Sequence, residues 1–141
     1  MKIIFNNTIP FKGFKAIALW PWVFVRNECK SRFTAIDSNH EYIHLRQQKE
    51  MAVAGFILAL IAIICRLSWY YSLLFVPIFF IWYGVEWFLR WIWYGFSQNE
   101  AYRNVCFEQE AYSNENNLDY LRTRKRFSFV RYLFKKSYKA R

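Results

Sequence analysis

Apolar and polar positions along the chain fall into five successive stretches, which predict a short β region followed by helices. Residues 1–33 carry β-prone runs broken by turn residues: Lys2 to Phe5 reads as a strand, Asn6-Asn7 ends it, and Pro10 and Gly13 mark a turn. Ala16 to Val25 is apolar and aromatic but contains Pro21, so it is expected to be an edge strand or a bulged hairpin. Thr34, followed three residues later by Asp37, fits a helix N-cap with an acid in the first turn, and a helix is expected over 34–50. Ser38 with Glu41 fits a capping box as well, but would tie Glu41 to the backbone.

From Met51 to Cys65 no charge occurs, and Arg66 ends the run. Fifteen helical residues span roughly 22 Å, short of the ~30 Å hydrocarbon core, so crossing requires snorkelling ends or a thinned bilayer. A second apolar stretch, Leu67 to Phe96, is dense in Trp, Tyr and Phe and contains Pro77 and Gly84, which invite a kink. The pair predicts two antiparallel helices in a membrane hairpin over 51–96, turning near Arg66. Within it Glu86 and Arg90 stand four apart on one face, as a structural ion pair would. Residues 97–121 return to polar composition and read as an amphipathic helix. Residues 122–141 hold nine of the chain's twenty Lys and Arg side chains and no acid, interleaved with Phe, Tyr, Leu and Val, which suits a basic helix lying at a membrane surface.

Composition narrows the setting. The 141 residues suffice for one domain, and they are 55% hydrophobic and 23% aromatic with a net charge of +10. Such a charge suits nucleic acid or an anionic membrane surface. The apolar stretches favour the bilayer with anionic headgroups, and no recognition motif supports nucleic acid. Basic residues crowd both ends of the chain while the turn holds only Arg66, which places both termini in the cytoplasm of a membrane protein. The N-terminus shows no apolar run of a secretory signal. Cys29, Cys65 and Cys106 are too widely spaced to suggest a disulfide framework and are read as reduced thiols.

The candidate chemistry lies in the first helix. His40-Glu41-Tyr42-Ile43-His44 is an HExxH pattern, and it contains both histidines of the chain. Residues four apart share a helical face, so two imidazoles can converge on one metal, with Glu41 placed to accept a proton from water. A chance match in a chain of this length is expected at roughly a few per thousand. A catalytic zinc usually takes a third protein ligand, and a carboxylate must supply it here: Glu86, Glu100, Glu108, Glu110 and Glu115 are the candidates.

Glu108-Gln109-Glu110-Ala111-Tyr112 resembles the Glu-x-x-Ala-Asp segment of gluzincin metallopeptidases. In layout the chain is similar to the membrane-embedded heat-shock and CAAX prenyl endopeptidases and the peptidase domain of β-lactam sensor proteins. His-Glu-x-Ile-His with Gln47-Gln48, then Phe107-Glu108-x-Glu110-Ala111, also looks like a group of small bacterial membrane proteins. The resemblance covers residues 36–51 and 99–121. It implies an α+β, mostly helical, zincin-like core with an N-terminal β-hairpin and a two-helix membrane hairpin, the last matched in character alone. It further implies Zn2+ held by His40, His44 and Glu108, with Glu41 as general base. Tyr112 stands where those peptidases have an Asp that orients a ligand histidine; a phenol can hydrogen-bond an imidazole or an oxyanion but brings no charge. Glu110 faces another way and reads as a solvated acid or a partner of Arg103. The activity implied is peptide-bond hydrolysis of a polypeptide near a bacterial inner membrane. The alternative is a zinc-binding but inactive structural or interaction protein, and a third reading is a membrane-anchored module without metal.

Overall fold

The computed structural model describes residues 2–75 and 77–135. It is α+β and mostly helical. Three strands, β1 (Lys2–Asn6), β2 (Ala16–Leu19) and β3 (Trp22–Arg26), form a sheet in the order β1-β3-β2. β2 and β3 are the expected hairpin, antiparallel with Ala18 opposite Val23, and β1 pairs parallel to β3. Pro21 falls between β2 and β3, where its missing N–H costs no ladder bond, so β3 is free to be the central strand. Ala18, Val23 and Val25 turn inward against Leu45 of the first helix.

That helix, α1 (Ala35–Ile64), starts where the sequence predicts. The Thr34 hydroxyl accepts from the Asp37 N–H, and the Asp37 carboxylate accepts from the Thr34 N–H at 2.7 Å, which completes a capping box. It then runs unbroken for 30 residues, so the change at residue 51 is one of composition and not of structure. Its first half is covered by the sheet and later helices. Its second half leaves Val53, Phe56, Ile57, Leu60, Ile61, Ile63 and Ile64 exposed. The chain reverses at Arg66, which takes a left-handed φ of 56°.

The stretch 67–96 is not one helix. A short α2 (Trp69–Ser72) and a 3-10 turn (Leu73–Phe75) precede Pro77, and only then does α3 (Ile78–Trp93) begin. Proline lacks the N–H an interior helical position donates and disfavours helix just before itself, so α3 restarts there. α3 continues through Gly84 without a break. Gly55 of α1 meets the Phe75 carbonyl and Ile78, while Met51 packs with Phe79. Partners therefore rise along α3 as they fall along α1, and the two helices are antiparallel. Among the described residues, α1 is the one helix long and apolar enough to cross a membrane; α3 has 16 residues.

Residues 97–121 hold two helices and a turn. α4 (Gln98–Asn104) and α5 (Cys106–Asn114) meet at Val105, which is extended with ψ of 135°. The Cys106 N–H that starts α5 donates to Glu86 Oε1 at 2.9 Å, and Arg90 holds the same oxygen from 2.7 Å. The Glu86–Arg90 pair is thus an ion pair as expected, and it also caps the helix that carries Glu108.

The basic tail corrects the expectation most. Over 122–135 it is no surface helix: α6 (Tyr120–Thr123) and a 3-10 turn (Ser128–Tyr132) fold back on α5. Phe129 is 1% exposed, its ring 4.6 Å from that of Phe107, which in turn lies 4.5 Å from Phe79. The Arg124 side chain is 1% exposed and pairs with Glu110 and Glu50. Burying one aromatic ring of this size outweighs laying it on a wet interface, and two carboxylates offset the desolvation of the arginine. Lys136, Lys139 and Arg141 lie outside the described residues. The three cysteines are free thiols.

Candidate metal centre

The capping box at Thr34 sets the phase of α1 so that His40, Glu41 and His44 fall on its covered side, beneath β2 and opposite α5. Helix α5 brings Glu108 to the same point, and His40, His44 and Glu108 converge as the motif spacing and the resemblance imply. The His40 and His44 Nε2 atoms are 3.1 Å apart. Glu108 Oε2 lies 3.5 Å from His40 Nε2, and Oε1 lies 3.4 Å from His44 Nε2. Two ligand atoms each ~2.05 Å from a tetrahedral zinc stand roughly 3.3 Å apart. The Nε2–Nε2 distance and the approach of each imidazole to its own Glu108 oxygen are of that order, and one ligand atom from each of the three side chains lies within 4.8 Å of the others.

Proton positions sharpen this. His40 Nδ1 lies 2.8 Å from Glu115 Oε2, and His44 Nδ1 lies 2.8 Å from Gln47 Oε1. Oxygen acceptors at both Nδ1 atoms hold a proton on each, so Nε2 is the nitrogen that faces Glu108 and that a metal would take in exchange for a proton. Glu108 Oε2 is buried and, among the described residues, has no hydrogen-bond donor. Two imidazoles, a carboxylate and an orphaned carboxylate oxygen make a group that could hold a divalent cation. The N2O composition suits zinc. Burial alone would raise the Glu108 pKa, but the His44 and His40 imidazoles, protonated in the absence of metal, hold it below the usual carboxylate range, and Glu108 in turn raises the pKa of both histidines against the effect of burial. The Tyr83 hydroxyl donates to its Oε1 at 3.0 Å.

Tyr112 stands beside His40, ring centroids 4.7 Å apart at 63°, and the Arg103 guanidinium lies over its ring at 5.6 Å. Burial and the Glu108 charge push its phenol up to about 12 and push Tyr102 higher still, so both remain protonated. The carboxylate that meets an imidazole Nδ1 is Glu115, seven residues after Glu108. Glu108, Tyr112 and Glu115 follow i, i+4, i+7 spacing, a signal that could have marked Glu115 as the orienting acid rather than as a candidate ligand. Glu86 is used as the α5 cap, Glu100 is exposed, and Glu110, expected in solvent or with Arg103, is fully buried against Arg124.

Glu41 lines the cleft that opens on the triad. One arm, of about 440 Å3, runs between β2 and α3 and is walled by Ile17, Ala18, Phe79, Phe80, Gly84 and Trp87. The other, of about 590 Å3, passes Lys15, Asp37, Gln98, Asn99, Tyr112 and Glu115. His40, Glu41, Phe14, Ala16, Trp87 and Tyr102 line both. β2 is an outer strand of the sheet, and Arg26 N–H donates to Lys15 O. With Ala16 opposite Val25, this alternation turns the N–H and C=O groups of Ala16 and Ala18 outward to the cleft. Gln48 pins that edge, donating to Ala18 O and accepting from Trp20 N–H, both at 2.8 Å.

Comparison with protein-family models, with curated proteins and with solved structures finds no match to this chain.

Proposed function

We propose that this chain is a zinc-dependent peptidase working at a membrane surface. The observation that carries the reading is the convergence of His40, His44 and Glu108, one ligand atom from each lying within 4.8 Å of the others, with an undonated carboxylate oxygen among them. Bound zinc would supply Lewis-acid polarisation of a carbonyl and would acidify a water. Glu41 lines the cleft at the same turn of α1 and takes the proton from the attacking water, then returns it to the leaving amine. Tyr102 and Tyr112, protonated across the neutral range, are donors for a developing oxyanion at the cleft wall. A polypeptide adds to the β2 edge through Ala16, antiparallel or parallel to it, and lays alternate side chains into the two arms.

The membrane assignment rests on the apolar faces of α1 and α3, where Phe56, Ile57, Leu60, Ile64, Val85, Phe88 and Leu89 are exposed in the described protein. We place this hairpin in the bilayer, with anionic headgroups against the basic ends of the chain and both termini on the cytoplasmic side of a bacterial inner membrane.

The test is peptide cleavage by purified wild type and Glu41→Gln in detergent, with zinc measured on the same samples. Gln keeps the shape of Glu and cannot take the proton, so hydrolysis should fall by ~10²–10⁴-fold with zinc retained. Equal rates in both, or zinc without any hydrolysis in the wild type, would leave the metal a structural role and favour the interaction-protein reading.

A further inference from the structure

Gln47 follows His44 by three residues on α1 and is fully buried. Its amide nitrogen has two hydrogens, and both are used. Nε2 donates to the Phe107 carbonyl at 3.1 Å and to Glu110 Oε2 at 2.9 Å. Neither partner can donate in return: one is a backbone carbonyl, the other a carboxylate paired with Arg124. Arg124 Nε lies 2.6 Å from Glu110 Oε1 and Nη2 lies 3.1 Å from Oε2, while the Tyr120 hydroxyl donates to Oε1 at 2.8 Å. Turning the Gln47 amide over would aim its oxygen at two acceptors in a dry site. Its Oε1 is therefore held toward His44 Nδ1. An amide oxygen only accepts, so Nδ1 carries a proton and Nε2 is the nitrogen left to face a metal.

We infer that Gln47 is a positioning residue that fixes His44 in the form able to bind metal, and that Glu110 and Arg124 hold Gln47 in turn. The inference rests on the metal-centre reading above and names how that centre is set. It also gives the buried part of the basic C-terminal segment a purpose. Arg124 donates to Glu50 Oε1 at 2.6 Å, so one guanidinium ties α1 to α5 within one turn of Gln47. His40 is oriented separately, by Glu115, and the two histidines report independently.

The test uses the full-length chain in detergent, labelled with 15N on histidine and loaded with zinc(II), together with zinc affinity from chelator competition. With two histidines in the chain, each Nδ1–H gives its own signal. In Gln47→Met, which keeps the volume and deletes the acceptor, the His44 Nδ1–H signal should shift and exchange with solvent while that of His40 stays. Zinc affinity should fall by about 10–100-fold. A packing role alone would lower thermal stability and leave both readouts unchanged, and that result would overturn the inference. Should Gln47→Met not fold, the wild type decides alone: a His44 proton found on Nε2 overturns the inference. A wild type that binds no zinc at all would instead overturn the metal-centre reading, and this inference with it.

Discussion

Replacing Glu115 by Ala should weaken zinc binding more than replacing Tyr112 by Phe, the reverse of what the peptidase pattern implies from sequence. Glu115 Oε2 accepts from His40 Nδ1 at 2.8 Å, with the imidazole 11% and the carboxylate 24% exposed. Removing the acid leaves an Nδ1–H without its acceptor, frees the ring to rotate, and lowers the basicity of Nε2. Partners of this kind typically change metal affinity by ~10–100-fold, or roughly 1.4–2.8 kcal/mol. The exposure of Glu115 lets water replace part of the bond, so the lower half of that range is expected. Tyr112→Phe keeps the edge-on packing against His40 at 4.7 Å and deletes only the hydroxyl. Its zinc affinity should stay within about threefold of wild type, because the orienting carboxylate remains. Competition against a chelator of known affinity, at one pH and in one detergent, measures both. Equal affinities for Glu115→Ala and wild type, or a larger loss in Tyr112→Phe, would refute the assignment of the orienting role.

Two further outcomes follow from the same geometry. Zinc affinity should fall as pH drops, starting well above the ordinary histidine range: against desolvation by burial, Glu108 and Glu115 push His40 up to about 10 and Glu108 raises His44, so protons compete for both imidazoles. Glu108 should not contribute to that fall: its folded pKa is depressed, so its stabilisation is complete above the ordinary carboxylate range and is lost only as pH falls through the lower folded value. A zinc titration repeated from pH 8 to 5 checks this, and an affinity flat with pH would contradict it. Phe129→Ala should destabilise the protein by about 3–5 kcal/mol, seen as a lower unfolding temperature in detergent, because its ring is packed between Phe107 and Trp82. An unchanged unfolding temperature with reduced liposome binding would restore the surface-anchor reading of the tail.

How much of this was legible in the sequence depends on the range over which each feature acts. Thr34 and Asp37 cap a helix through a local contact, and the four-residue spacing of His40 and His44 is a property of one helix, so both could be read directly. Glu108 was one of five carboxylates until the resemblance singled it out. Helix α5 delivers it from 64 residues away, over α3 and α4, and no local pattern encodes that placement. Glu115 and Gln47 escaped for a related reason: their roles depend on which imidazole nitrogen they face, which only the packed site decides. The division of α1 at residue 51 followed a change of composition that the backbone ignores, since an apolar and a polar half propagate one hydrogen-bond ladder equally well. β3 was expected at an edge because of Pro21, but pairing with Lys2–Asn6 is non-local and moves it to the centre. The tail misled most, because nine cations suggest a surface and the buried aromatic and arginine among them carry no mark in composition.

The most direct test of the metal centre is elemental analysis of protein purified without added metal, alongside His44→Ala. Two imidazoles and one carboxylate make three ligands, and losing one leaves too few to hold zinc tightly. One zinc per wild-type chain, and little or none in a folded His44→Ala, is the predicted result. A wild type free of zinc that does not take it up on titration, or zinc retained in full by His44→Ala, would contradict the account.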